Sequence, residues 1–224
     1  LVVAVLVGAY LLGGVPWSLI IGRRFFGVDL REHGSGNLGA TNVFRVLGAR
    51  AAVSTALLDV GKGSAAVGLA RVLVRSSVVG TTAADWVAVG AMIAAVVGHS
   101  YSPYIRFRGG KGVATSGGGL LVLTPMVVLI ELLVFVAVIA TLRIVSLGSV
   151  VIALFYPVLV VWRYPGNTPL LVTSLFISVL VVWRHRSNIA RIVRGEESKI
   201  SIGRRGSALD QRPSENASDE GEPR

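Results

Sequence analysis

The sequence has no cysteine. Disulfides and thiol chemistry are excluded, and the redox compartment is unreadable. Charged residues are scarce, 15% against 53% hydrophobic ones, and the mean hydropathy is +0.70. That balance excludes an ordinary soluble domain. The apolar runs also lack the period-two alternation that a membrane barrel needs. Only helices and closed barrels satisfy their backbone in lipid, so an all-α polytopic membrane protein remains. Acidic residues are the scarcer charge, 12 against 22 Lys and Arg. A net charge of +10 suits nucleic acid in principle. Its placement along this chain argues for membrane orientation instead.

Seven transmembrane helices are expected near 1–22, 51–74, 84–98, 113–123, 126–142, 145–162 and 168–183. Residues 1–22 resemble a signal peptide only in length. They lack a basic leading region, so they read as a retained span. Leu1 stands where Met is usual, which leaves the true start open. The segments 23–50, 99–112 and 184–224 hold 17 of the 22 Lys and Arg. By the positive-inside rule these loops are cytoplasmic, the N-terminus is outside and the C-terminus inside. The fourth span is short: its 11 residues cover ~16 Å of helix, about half the hydrocarbon core. It is expected to be buried by its neighbours. Trp162 and Trp183 end their spans as aromatic anchors. Glu131, the lone acid of the last three spans, is expected either to bond across helices or to pair with Arg143. Residues 1–200 form the membrane domain, and 201–224 read as a disordered cytoplasmic tail. A cytoplasmic tail leaves its Asn216-Ala-Ser triplet without meaning as a glycosylation site.

The chemistry concentrates in the basic loops. Gly98-His-Ser-Tyr-Ser-Pro-Tyr-Ile-Arg-Phe-Arg-Gly-Gly-Lys-Gly112 lies between apolar stretches. Gly109, Gly110 and Gly112 are expected to leave backbone N–H groups uncovered around Lys111. A helix is expected to start near Gly112. Bare amides at a helix N-terminus beside a lysine make an anion site. The bland alternative is a loop that only orients the protein. Gly112 follows the lysine where a Walker A sequence has Ser or Thr, so this is no nucleotide P-loop.

Upstream, Gly34-Ser-Gly-Asn-Leu-Gly39 matches G-x-G-x-x-G. Without a βαβ unit the match is a false lead. The better reading is a polar loop with donors Ser35, Asn37, Thr41, Asn42 and Arg45. A solvated hairpin is the alternative. Asp59 and Lys62 sit three apart inside an apolar run, so they either pair with each other or turn Lys62 toward the cavity of Lys111. If the last span stays helical beyond Trp183, His185, Asn188 and Arg191 share one face. Ile189, Ile192 and Val193 then form the apolar face of an interfacial helix.

Four segments together carry a resemblance: Gly34-Ser-Gly-Asn-Leu-Gly-Ala-Thr-Asn-Val-Phe-Arg45, Asp59-Val-Gly-Lys-Gly63, Gly98-His-Ser-Tyr-Ser-Pro103 with Phe107-Arg-Gly-Gly-Lys-Gly-Val-Ala-Thr115, and His185-x-x-Asn188-Ile-x-Arg191. In that order they resemble the bacterial acyl-phosphate:glycerol-3-phosphate acyltransferases, the PlsY family. The resemblance covers residues 1 to about 200.

It implies transfer of a fatty acyl chain from acyl-phosphate to the 1-hydroxyl of glycerol 3-phosphate. The products would be lysophosphatidate and inorganic phosphate, in the first step of phospholipid synthesis. Ser35, Arg45, Lys111, His185 and Asn188 would carry catalysis and positioning. Asn37, Thr41, Asn42, Lys62, His99, Gly109, Gly110, Gly112 and Thr115 would bind substrate or phosphate. Asp59, Arg191 and Glu197 would be structural, Glu197 being preferred over Glu196 because Ser-Lys-Ile follows it. Metal and cofactor are not required, since acyl-phosphate is already activated. The partners would be the two substrates and membrane lipid. A transporter of a small phosphorylated anion is the rival class. Its sites belong at the midplane, whereas these motifs cluster toward one face. A lipid-binding membrane scaffold is a third, and it leaves the glycine loops unexplained.

Overall fold

The computed structural model describes residues 1–75 and 81–200. The expected tail, 201–224, lies outside them. The described residues contain helices and no strand. In order these are α1 (Val2–Gly14), α2 (Trp17–Phe26), α3 (Ala40–Leu47), α4 (Ala49–Arg75), α5 (Thr81–Ser100), a 3-10 turn (Pro103–Ile105), α6 (Val113–Leu123), α7 (Pro125–Leu142), α8 (Val145–Arg163), α9 (Thr168–Arg184) and α10 (Arg186–Val193).

Four segments among the described residues are long and apolar enough to cross a membrane: Val2–Phe26, Ala83–Ile105, Pro125–Leu142 and Val145–Arg163. The bent pair α9 and α10 makes a fifth if counted as one. Two of the seven expected spans differ in kind. Helix α4 has 27 residues, ~40 Å of helix, but it carries Asp59, Lys62 and Arg71 in its run. Helix α6 has 11 residues. Asp59 and Lys62 are buried, as charge in lipid requires, and exposed Arg71 donates to the Val122 carbonyl at 2.9 Å; the short α6 is mostly covered by its neighbours.

The first span is broken. Pro16 lacks an N–H, so the helix stops at Gly14 and restarts at Trp17. The carbonyl of Val15 accepts from Lys62 Nζ at 2.9 Å. The last span bends too. Between α9 and α10 the chain turns by 60°, at His185. The continuous helix expected through His185, Asn188 and Arg191 is thus two helices.

Close helix crossings rest on glycine. A β carbon on Gly63 would overlap the Thr115 carbonyl, and one on Gly118 the Val60 carbonyl, so α4 and α6 touch backbone to backbone. Ser64 Oγ also donates to the Gly118 carbonyl at 2.8 Å. The short α6 is thereby held between α4, α5 and the pair α8–α9, with Leu120 and Leu123 in a core shared with Val67, Met92, Tyr156 and Ile177. Trp162 and Trp183 are exposed at helix ends, as anchors are.

Candidate active site

Three segments converge: the α2–α3 loop, the loop from His99 to Gly112, and the bend around His185. In the second, Arg106 and Phe107 take positive φ, 54° and 59°, and turn the chain back onto the end of α5. Gly109 N–H then donates to the Ser100 carbonyl and Gly110 N–H to the His99 carbonyl, both at 3.1 Å. This corrects the expectation of uncovered amides at 109 and 110. Their lack of side chains serves packing. A β carbon on Gly109 would overlap the His99 carbonyl, and one on Gly110 the His99 ring. The N–H groups without a backbone acceptor begin at Lys111 and run into the first turn of α6, which Gly112 caps at φ 84°.

Arg184, at the end of α9, holds the other side of the loop. Its Nη2 donates to the Gly109 and Gly110 carbonyls at 2.9 and 2.7 Å, and its guanidinium stacks 5.1 Å from the Tyr101 ring centre. With both faces fixed, Lys111 is presented to α10. Its Nζ donates to Asn188 Oδ1 at 2.5 Å. Asn188 Nδ2 donates to Glu197 Oε1 at 2.6 Å, and Ser146 Oγ to the same oxygen at 2.7 Å. Arg191 Nε reaches Glu197 Oε2 at 2.7 Å.

Burial would raise the Glu197 pKa, but hydrogen bonds from Ser146, Asn188 and Arg191 outweigh it and hold it below the ordinary range. Burial lowers Lys111 to about 8. The Glu197 charge opposes that shift, and the charges of Arg191, Arg184 and Arg45 add to it. The site therefore gathers four cations around one carboxylate.

His185, just past the end of α9, is buried, with Nδ1 2.8 Å from the Val181 carbonyl. A carbonyl only accepts, so Nδ1 carries the proton and Nε2 keeps its lone pair. Burial first, then the Lys111 charge, lowers its pKa to about 4. Near neutral pH the ring is an uncharged acceptor.

The α2–α3 loop is built by its own ties. Asp29 binds Arg23 at 2.7 Å and Arg31 at 2.6 Å. The Arg31 side-chain bond dominates and holds the Asp29 pKa far below the usual range. Asn42 is buried, and its amide is used on both sides. Oδ1 accepts from Ser35 N–H at 2.8 Å, and Nδ2 donates to the Leu30 and His33 carbonyls. Asn37 Oδ1 accepts from Gly39 N–H at 3.0 Å. Both were expected to bind substrate; the structure uses both to shape the loop. What the loop offers outward is the exposed Ser35, half-buried Thr41 and half-buried Arg45. Arg45 has no ion-pair partner among the described residues, and it is near enough to influence Lys111.

Other expected ligands lie elsewhere. Lys62 does not share a cavity with Lys111. It is buried behind the glycine loop, 2.8 Å from Asp59 Oδ1 in an ion pair and 2.9 Å from His99 Nδ1. These three line a cavity of ≈ 10 Å³ with Val15, Trp17 and Gly110. Thr115 is buried against α4. Asn188, expected to touch substrate, has both ends of its amide taken by Lys111 and Glu197. Glu131 pairs with no Arg143, and its Oε1 has no hydrogen-bond partner. Arg184 and Ser146 were missed by sequence reasoning. Arg184 had one signal, its place beside His185. Ser146 had none, because its partner is 51 residues away. No cluster of His, Cys, Asp and Glu fit for a metal occurs among the described residues.

A family model described as glycerol-3-phosphate acyltransferase matches residues 3–195. The chain is 41% identical to the glycerol-3-phosphate acyltransferase of Geobacillus kaustophilus, over 88% of this chain and 94% of that one. It is 44% identical to that of Synechococcus elongatus, over 89% and 94%. Crystal structures of PlsY, an integral membrane glycerol 3-phosphate acyltransferase, resemble the fold. The glycerol 3-phosphate form gives a TM-score of 0.78 at 36% identity, covering 89% of this chain and 96% of that one. The lysophosphatidic acid form gives 0.77 at 35%, covering 89% and 95%. The chain belongs to the glycerol-3-phosphate acyltransferase family and is an integral membrane enzyme of the PlsY type.

Proposed function

We propose that the enzyme transfers a fatty acyl chain from acyl-phosphate to the 1-hydroxyl of glycerol 3-phosphate, directly and without an acyl-enzyme. One observation carries this reading: an excess of cations around Lys111 stands beside a neutral His185. Both substrates carry a phosphate, and an activated donor needs little acid–base help. The hydroxyl oxygen attacks the acyl carbon, the bond from that carbon to the phosphate oxygen breaks, and inorganic phosphate leaves. The departing phosphate has a second pKa near neutrality, so the leaving group itself takes the hydroxyl proton. Ser35 orients phosphate. Arg45 and Lys111 stabilise the charge that builds in the transition state. His185 Nε2 accepts from a glycerol hydroxyl. Asn188 and Glu197 act through Lys111, by holding its ammonium in place.

The acyl chain enters from the bilayer beside the loop, where Val113 and Val181 line an apolar cavity with Gly117 and Leu120. The clustering of basic residues in these loops supports a site on the cytoplasmic face of a bacterial cell membrane, with the N-terminus outside. The test is product analysis with purified protein. Acyl-phosphate plus glycerol 3-phosphate should yield lysophosphatidate and phosphate, and acyl-CoA should not replace the donor. Equal rates with acyl-CoA would refute the donor. Movement of glycerol 3-phosphate across vesicles without lysophosphatidate would instead support a transporter.

A further inference from the structure

We propose that one buried water, held between the Trp17 indole N–H and Asp59 Oδ1, couples the α2–α3 loop to the glycine loop, and that Trp17 is a positioning residue acting through it. The kinetic consequence rests on the proposed function; the water site does not.

The cavity of ≈ 10 Å³ behind the glycine loop has the size of one water, which needs ~10–15 Å³ and about two to four polar partners. Asp59, Lys62 and His99 on its wall are 2%, 4% and 8% exposed, so the site is made of buried polar groups. Most of the polar groups there are occupied. Lys62 Nζ donates to the Val15 carbonyl and lies 2.9 Å from His99 Nδ1. Ser18 Oγ donates to the Leu38 carbonyl at 2.8 Å. Two buried atoms of the lining residues have no hydrogen-bond partner among the described residues: Trp17 Nε1 and Asp59 Oδ1. Lys62 Nζ faces that oxygen at 2.8 Å as an ion pair, without the alignment of a hydrogen bond. The indole N–H only donates, and the carboxylate only accepts. A water satisfies both. Its oxygen accepts from Trp17, and one of its protons goes to Asp59. Stranding either atom in a buried site is costly, so the water is retained.

The place of Trp17 in the chain gives this bridge its consequence. Trp17 opens α2 just past the break at Pro16, and Ser18 beside it is tied to Leu38 in the α2–α3 loop. Asp59 belongs to α4 with Lys62, which holds His99, the ring that Gly110 packs against. The water therefore joins the loop of Ser35 and Arg45 to the support beneath Lys111.

A high-resolution crystal structure of the wild-type protein tests the site. One water within ~3.2 Å of both atoms is expected. Trp17 Nε1 bonded instead to a protein acceptor, or a cavity without water density, overturns the proposal whatever the activity. Steady-state kinetics test the positioning. Trp17→Phe keeps an aromatic ring and removes the N–H. Because the α2–α3 loop orients the donor phosphate, KM for acyl-phosphate should rise roughly fivefold to tenfold, while KM for glycerol 3-phosphate holds. A smaller folded fraction would lower the apparent kcat and leave both KM values alone. Unmoved KM values therefore overturn the positioning role. If Trp17→Phe does not fold, Ser18→Ala cuts the same strut at Leu38 and should raise the same KM; an unmoved value there overturns the role alone. No turnover by the wild type with any acyl-phosphate overturns the donor reading and the positioning role with it, while the water stands or falls on the density.

Discussion

The clearest perturbation of the glycine loop is one methyl group. In Gly110→Ala the new β carbon falls on His99 Nε2. The ring cannot simply swing aside. Its Nδ1 is 2.9 Å from Lys62 Nζ, and Lys62 is tied to Asp59 and the Val15 carbonyl. Either the ring leaves Lys62 or the loop leaves α5. The first loses a hydrogen bond to a charged group, ~1.5–3 kcal/mol, or roughly tenfold to a hundredfold if it appears in activity. The second moves Lys111, and a misplacement of ~1 Å can itself lose ~100-fold in rate. Gly109→Ala should be worse. There the obstacle is the His99 carbonyl, which cannot rotate and already accepts from Gly110.

A double-mutant cycle isolates the cause. His99→Ala removes the ring that the methyl strikes. Gly110→Ala should therefore do much less harm in that background, with a coupling of ~0.5–3 kcal/mol. The assay is steady-state kinetics in detergent, with KM for both substrates, beside thermal unfolding of each variant. Losses that add within ~0.5 kcal/mol would show that the methyl acts elsewhere, for example by blocking phosphate approach, and would refute the packing argument.

Four further outcomes follow from the same geometry. Lys111 holds its charge below its pKa of about 8, so KM for phosphate-bearing substrate should rise as pH passes through 8. Because that pKa lies below the ordinary 10.5, the unfolded chain binds more protons between the two values, and stability should rise with pH across that window; a flat KM profile from pH 7 to 10 would count against Lys111 as the anion ligand. Glu197→Gln removes the charge that supports Lys111, so activity should fall about tenfold to a hundredfold and the alkaline limb should move to lower pH; rescue by Glu197→Asp would show that charge is the cause. Ser35→Ala should lose rate, yet wild-type protein with acyl-phosphate alone should show no acyl adduct by mass spectrometry and intersecting initial-rate lines; a Ser35 adduct that passes its chain on would overturn direct transfer. Reporters at Arg106 and the C-terminus should lie on one side of the membrane and one after Thr81 on the other; residue 106 and the C-terminus on opposite sides would refute a crossing by α6.

Much of this was legible in the sequence because its causes are local. Apolar run length marked the helices, of which four, or five with the bent pair, are long and apolar enough to cross a membrane, and the start of α6 fell at Gly112 as expected. Spacing offered the Asp59–Lys62 pair as one of two readings, and it is the one the structure has. Residue types also pointed to Ser35, Arg45 and Lys111, and the family resemblance added His185; the structure leaves all four with open valences. What failed was the assignment of partners. Asn42 and Asn188 have the chemistry of ligands, but their amides are used by chain segments up to 77 residues away. Gly109 and Gly110 looked like bare amides because nothing local shows that α5 accepts from them. Arg184 and Ser146 matter through tertiary contacts alone. The bend at His185 was hidden as well, since its cause is neither Pro nor Gly.

The glycine loop also shows why such a site needs two unlike supports. Residues 109, 110 and 112 have no side chains to anchor them, so glycine alone would leave Lys111 mobile. Behind the loop, Asp59, Lys62 and His99 form a buried ionic wedge that fixes the α5 end and the broken first span together. In front, Arg184 takes the Gly109 and Gly110 carbonyls. The wedge is buried and is screened little by salt, whereas Arg184 and Arg191 are only half-buried. Salt should therefore loosen the front before the back. The front is also the side on which α10 carries Asn188, so loosening it separates Lys111 from its Asn188–Glu197 support. Substrate phosphate pulls the other way. It neutralises the repulsion from Arg191, Arg184 and Arg45 that adds to burial in holding the Lys111 pKa down. Binding should thus raise that pKa and tighten the loop at once, which makes the charge excess of the site part of its selectivity for phosphate.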